Sequence, residues 1–188
     1  MEDPEWEARR SELIADIGHM PPARIELLNG DELWIVAATS SQAKVVHDIT
    51  HEAFTEFRGV LDPPNGSDSE SPEDVASQIL AGGALIGYLA GCPAASLRIS
   101  INPDHLYVGR VGVVPAFRGK GIGKAMLRHA ERVAAHLQLP EVRLGTREKL
   151  TDNVALYLKL GYTIDRVVPH ARGSDMVVLF VKRVSPND

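Results

Sequence analysis

Strand-like and helix-like segments alternate along most of this chain, and hairpin patterns lie toward both ends of that run. A valine-rich segment then passes through a glycine-rich turn into a long amphipathic one. These observations predict an α/β (α+β) domain with a mixed sheet. The 188 residues suit one such domain with a short appendage. Hydrophobic residues at 44% and charged residues at 24% match ordinary globular usage, which excludes disordered and fibrous classes.

The first 30 residues stand apart. Trp6, Arg10, Leu13, Ile14 and Ile17 recur at helical spacing until Gly18 and Pro21-Pro22 break the pattern. We read residues 1–30 as a helical extension and linker, and 31–188 as the main domain. The helix either packs on that domain or forms a homodimer contact.

Leu33 to Ala37 reads as a strand rich in β-formers. Val45, Val46, Ile49, Ala53, Phe54 and Phe57 trace one face of a helix, with Ser40 or Ser41 placed to cap it. Asp62 to Glu70 is a loop by composition. Ser71-Pro72-Glu73-Asp74 opens the next helix with a capping serine, proline at the first helical position and acids near the positive dipole end. Gly82-Gly83 ends it. Segments 84–90 and 94–101 flank Gly91-Cys92-Pro93 as a hairpin, and His105 to Val114 is a third run. Ile122, Met126, Leu127, Ala130, Val133, Ala134 and Leu137 form a helical stripe. Strands at 141–146, 162–168 and 176–184 and a short helix at 153–160 complete the order.

Composition narrows the function. No apolar run approaches the ~18 residues of a membrane helix. The acidic N-terminus has no signal-peptide core, so a cytoplasmic location and no membrane partner are expected. Cys92 alone builds neither a disulfide framework nor a cysteine-rich zinc site. A net charge of −5 argues against duplex nucleic acid, which needs a basic face. His47 and His51 stand at i, i+4, but no Glu follows His47 as a zinc-protease helix requires, and no metal is expected.

The most informative segment is Val111 to Lys124. A strand ends at a proline, and Arg118-Gly119-Lys120-Gly121-Ile122-Gly123 turns into the long helix. Glycines permit close backbone approach, and amide N–H groups at the helix start face outward with the positive dipole end. Arg118, Lys120 and Lys124 add formal charge. This chemistry suits a diphosphate. The Walker A spacing fails, because Gly119 to Gly123 is one residue short and Ala125 replaces Ser or Thr. The dinucleotide fingerprint also fails, because its third glycine arrives one residue early.

Arg118-x-x-Gly121-x-Gly123, following Val111-x-Val113-x-Pro115, resembles the acetyl-CoA motif of the GCN5-related N-acetyltransferases, the GNAT superfamily. Asn153 to Tyr162 resembles the family's second signature, an asparagine, an apolar-Tyr pair and a Leu-Gly-aromatic ending. The resemblance covers all but the N-terminal extension. It implies a mixed, mostly antiparallel, twisted sheet of about seven strands flanked by about four helices. The family's fourth and fifth strands, here about 106–114 and 141–146, would splay to admit the pantetheine arm. By position, Val111 and Val113 would line that arm, with Val113 supplying backbone bonds. Arg118, Gly119, Gly121, Gly123 and Lys124 would surround the pyrophosphate. Val114, Lys120, Ile122 and Asn153 would complete the cofactor site, and Gly112 sits where a β-bulge would open the splay.

The resemblance also implies the chemistry: acetyl-CoA as co-substrate, with its acyl group moving to a primary amine of a small molecule or peptide by direct attack in a ternary complex. Tyr157 matches the family's tyrosine acid, placed to protonate the departing thiolate. Many relatives carry a glutamate base on the fourth strand; here that position falls near Tyr107, and no acid occurs between His105 and Val114. Asp104, His105, Glu148 and His170 are the nearest substitutes. Arg143, Arg147 and Lys149 read as a solvated edge or an outer contact for the CoA 3′-phosphate. The missing glutamate leaves a second reading, a catalytically idle acyl-CoA-binding sensor, against which the retained Tyr157 speaks.

Overall fold

The structure, a computed structural model, describes residues 4–185. Apolar residues at helical spacing put Ile17 in the core, and helix α1 (Pro4–His19) lays Trp6, Leu13 and Ile14 against the same cluster. Next comes a hairpin, β1 (Ala23–Glu26) with β2 (Glu32–Ala37). Strand β1 falls in the stretch expected to be linker. Its four residues carry too little pattern to compete with the preceding prolines, and they become a strand by pairing with β2, where the Arg24 guanidinium stacks 4.0 Å from the Trp34 ring.

Helix α2 (Ala43–Phe54) follows a 3-10 turn and ends in another, Thr55–Phe57. Its entry is organised at Thr39, whose N–H donates to Gln42 Oε1 at 3.0 Å, rather than at Ser40 or Ser41. Helix α3 (Pro72–Ala81) begins as expected, with Ser71 and Asp74 capping each other. Strands β3 (Ala84–Leu89) and β4 (Cys92–Ile101) join through Ala90-Gly91, both at positive φ, so the turn lies just before the expected Gly-Cys-Pro. Two consecutive positive-φ residues match the twist of the strands they join. Strand β5 (Leu106–Val113), helix α4 (Ile122–His136), strand β6 (Glu141–Arg147), helix α5 (Thr151–Lys159) and strands β7 (Thr163–Pro169) and β8 (Met176–Arg183) complete the described fold.

The eight strands form one sheet in the order β1-β2-β3-β4-β5-β6-β8-β7. Every neighbouring pair is antiparallel except β5 with β6. Successive residues on β3 face opposite layers: Leu85 packs with α1 and α4, Ile86 with α2 and α3. Burial on both faces explains the continuous apolar runs of the central strands.

The parallel pairing of β5 and β6 lasts only from Leu106–Val142 to Val108–Leu144. Strand β6 stays paired to β8 as far as Arg147–Val177, while β5 departs. The splay therefore falls between the expected strands. Its bulge lies slightly earlier than Gly112: β5 slips against β4 between Gly109 and Gly112, and Arg110 takes a φ of +53°. Gly112 answers a different demand, because a Cβ there would stand 2.9 Å from Ala53 Cβ on α2.

Candidate active site

Beyond Val108 the edge of β5 that faces β6 has no strand partner. Two cavities open from this gap. The larger, about 510 Å³, runs from Val111 and Val113 past the glycine turn to the start of α4, with α2 on one side and α5 on the other. The smaller, about 240 Å³, lies along β5 from Tyr107 to Val111, beside the α2–α3 loop and the β7–β8 turn. Phe54, Val111, Leu150, Asn153 and Tyr157 line both, so the cavities meet at these side chains.

The glycine turn shapes the far end of the larger cavity. Gly119 and Gly121 take φ of +77° and +83°, which side-chain-bearing residues adopt at a cost. Gly121 is the N-cap of α4 with no side-chain cap, and Ala125 is the first N–H to donate back, to Gly121 O at 3.0 Å. The N–H groups of Ile122, Gly123 and Lys124 therefore lie in the first turn, where a helix supplies them no partner. They line the cavity with Lys124, an arrangement that fits an anionic diphosphate.

Of the residues expected to bind cofactor, Val111, Val113, Arg118, Gly119, Gly121, Ile122, Gly123, Lys124 and Asn153 line this groove. Two do not. The Val114 side chain is buried in the cluster with Val46 and Val75, and its N–H donates to Ala94 O at 2.9 Å. Lys120 turns away to Asp31 at 2.8 Å. Arg118 lines the groove but is engaged elsewhere: Nε donates to Val113 O at 3.1 Å, Nη2 to Ala53 O at 2.8 Å, and Nη1 pairs with Glu56 at 2.8 Å. It braces the end of α2 against β5.

Tyr157 is 6% exposed, with its ring held edge-on by Phe180 at 5.4 Å and Tyr162 at 6.2 Å between centroids. Burial, with Tyr107 adding to it, pushes its phenol up to about 12. The group therefore stays protonated at neutral pH and can act as a proton donor. Helix α5 starts at Thr151 with Leu150 as its N-cap and no side-chain cap, so Asn153 faces the groove rather than capping the helix.

The smaller cavity holds Tyr107, Arg110, Arg147, His170 and Arg172, and no carboxylate among its described lining. Asp104 and His105 pair with each other at 2.7 Å near the far end of β5, and neither they nor Glu148 line it. His170 does, and its imidazole is pushed below the ordinary value by desolvation and then by Arg147 and Arg172. Arg143 pairs with Glu141 at 2.8 Å, separate from Arg147 and Lys149. His47 and His51 stack at 5.7 Å and are half-buried. Sequence reasoning missed Arg110 and Arg172 here. The run Gly109-Arg110-Val111-Gly112 and the turn before Gly173 were the signals, but only the bulge and the hairpin bring them together.

The loop over this cavity is pinned from three directions. Glu70 accepts from Arg98 at 2.7 Å and from Arg110 at 2.9 Å, and Arg110 also donates to Asn65 Oδ1 at 3.3 Å. Asp175, whose side chain is fully buried, accepts from Asp62 N–H at 3.0 Å and pairs with Lys149 and, at 3.6 Å, with Arg147. Ser174 donates to Asp62 Oδ2 through Oγ at 2.6 Å and through N–H at 2.9 Å.

Comparison with known proteins agrees with this geometry. The model of the Acetyltransferase (GNAT) family matches residues 44–162, more than half of the chain. Streptothricin acetyltransferase of Streptomyces lavendulae is 33% identical over 108 residues, which span 49% of this chain and 56% of that relative, so the match covers little more than half its length. Among solved structures, the GNAT domain of S. lividans PAT shares 18% identity with a TM-score of 0.69, covering 88% of this chain and 100% of that one. The PaiA N-acetyltransferase of Thermoplasma acidophilum, solved with coenzyme A, gives 0.67 at 17% identity over 78% of this chain and 97% of that one. The ribosomal-protein-S18-alanine N-acetyltransferase of Escherichia coli gives 0.67 at 18% identity over 81% and 94%. At these identities the structures speak for the fold, and the matched span speaks for descent: the chain belongs to the GNAT acetyltransferase family.

Proposed function

We propose that this chain is an acetyl-CoA-dependent N-acetyltransferase that passes the acetyl group to a primary amine by direct attack in a ternary complex. The observation that carries the reading is the meeting of two cavities at Tyr157, one ending at the glycine turn and one enclosed by the α2–α3 loop. Acetyl-CoA bound along the first would lay its pantetheine arm against the unpaired edge of β5 and its pyrophosphate on the first turn of α4. An amine in the second would approach the thioester carbonyl where the two cavities meet.

The amine nitrogen attacks the carbonyl carbon, a C–N bond forms and the C–S bond breaks. The departing CoA sulfur takes a proton from the Tyr157 hydroxyl, the new ammonium loses its proton to solvent, and the Tyr157 phenolate regains one from solvent, which restores the acid. Backbone N–H groups of β5 beyond the splay are the donors available to the developing oxyanion. Without a carboxylate base, the cationic lining itself favours the neutral amine, since like charge disfavours the ammonium form. The streptothricin relative is by its name an acetyltransferase, which accords with acetyl transfer here.

Thermal stabilisation by acetyl-CoA, CoA, NAD and ATP in parallel tests the cofactor. A ligand at 100 times its Kd adds about 2.7 kcal/mol to folded-state stability. Acetyl-CoA and CoA should shift the melting temperature and NAD and ATP should not; a shift by NAD or ATP alone would overturn the reading.

A further inference from the structure

We infer that the amine acceptor is a small molecule carrying its own anionic group, a carboxylate or a phosphate, which the arginine-lined wall of the smaller cavity holds while the amine points to Tyr157. The inference rests on the acyltransferase reading and adds the acceptor's class. It starts from a mismatch: the chain as a whole has a net charge of −5, yet the described lining of this cavity includes three arginines and no carboxylate.

The carboxylates nearest those arginines do not cancel the excess. Glu70 serves two guanidiniums at once, Arg98 and Arg110. Asp175 serves Lys149 and Arg147. Asp62 accepts from Ser174. Around the cavity, Arg98, Arg110, Arg147, Lys149 and Arg172 thus face Glu70, Asp62 and Asp175, an excess of two positive charges.

Arg172 is the cation whose side chain meets no partner among the described residues. Its N–H donates to His170 Nδ1 at 3.2 Å, which holds the turn, and its side chain lines the cavity mouth. The Arg147 guanidinium, in the same lining, is held by Asp62 O at 3.2 Å and Pro63 O at 3.3 Å, and its side chain is 13% exposed. A preorganised arginine beside a free one suits a planar carboxylate or a phosphate, which guanidinium groups bind in a fork.

The same charge excess disfavours a polyamine or any acceptor whose only charge is its ammonium, because such a ligand would enter against like charge with no acid to receive it. The volume, about 240 Å³, is below the ~300–1,000 Å³ of drug-sized pockets, which suits a compact acceptor. An acceptor bearing both charges resolves the mismatch: its anion offsets the arginines, and its amine reaches toward Tyr157.

The test is a matched-pair assay of thiol release from acetyl-CoA. Glycine is compared with glycinamide and phosphoethanolamine with ethanolamine, alongside spermidine, with acetyl-CoA binding followed by thermal shift in the same samples. The two pairs separate a carboxylate from a phosphate as the anchor. The anionic member of at least one pair should exceed its neutral counterpart at least tenfold in kcat/KM. Arg172→Ala should shrink that ratio by about tenfold, mainly through KM, and Arg172→Lys should recover part of it. If no anionic member outpaces its counterpart, or spermidine is preferred while acetyl-CoA still binds, the acceptor inference falls and the acyltransferase reading stands. If acetyl-CoA does not bind, both fall. A ratio that Arg172→Ala leaves unchanged removes Arg172 from the subsite and overturns the inference as stated.

Discussion

Gly112 and Gly121 are glycines for separate reasons, and each makes its own prediction. At Gly112 helix α2 leaves a Cβ only 2.9 Å from that of Ala53, so Gly112→Ala must push α2 off the sheet. We expect a loss of about 1–3 kcal/mol, read as a lower urea midpoint with an unchanged slope. At Gly121 space is free, but φ is +83°. Gly121→Ala should cost about 1–2 kcal/mol from backbone strain and weaken acetyl-CoA binding, measured by calorimetry. Burial, with Tyr107 adding to it, pushes the Tyr157 phenol up to about 12, so the acid form persists across the working range. The turnover rate should rise with pH as the amine loses its proton, and show no falling limb from this group until pH nears 12. A limb near pH 10 would mean that another group, or an unburied tyrosine, supplies the proton.

At the scale of elements, Glu70 is one of the ties that hold the α2–α3 loop over the smaller cavity, and it joins that loop to β4 and β5. Burial alone would raise the Glu70 carboxyl; Arg98 and Arg110 outweigh that and hold it below its ordinary value of 4.5. A depressed folded-state pKa stabilises above the unfolded value, and the contribution is lost as pH falls through the lower folded one. Glu70→Gln leaves Arg98, 7% exposed, without its charge partner, which should cost about 3–5 kcal/mol at neutral pH. Denaturation at pH 7 and again in acid checks this, because the gap between variant and parent should close as Glu70 protonates. Elements with long periodic stripes were legible before any coordinates: the α4 stripe from Ile122 to Leu137 and the Ser71-Asp74 cap each describe their own local energetics. Strand β1 was not, because four residues alternate too briefly and owe their conformation to the partner strand.

For the whole molecule, the same distinction separates the two halves of the site. The larger cavity is built mainly from contiguous chain, a strand running through a turn into a helix, so spacing and resemblance reach Val111, Gly121 and Lys124, which line it. Contiguity does not tell a residue that faces the groove from one turned into the core, as Val114 is, or toward Asp31, as Lys120 is. The acceptor cavity gathers Arg110 from a bulge, Arg147 from the end of β6 and Arg172 from a distant hairpin. No local spacing joins them. The overall acidity says little about this cavity, whose own described lining carries the opposite charge.

The central claim is that Tyr157, where the two cavities meet, donates the proton to the leaving thiolate. Its most direct test is Tyr157→Phe, with kcat and acetyl-CoA affinity measured side by side. The ring contacts with Phe180 and Tyr162 survive the substitution, so the fold and the groove should be kept. The account predicts a fall in kcat of about 10²-fold or more with Kd for acetyl-CoA within about twofold of the parent. An unchanged kcat would contradict it.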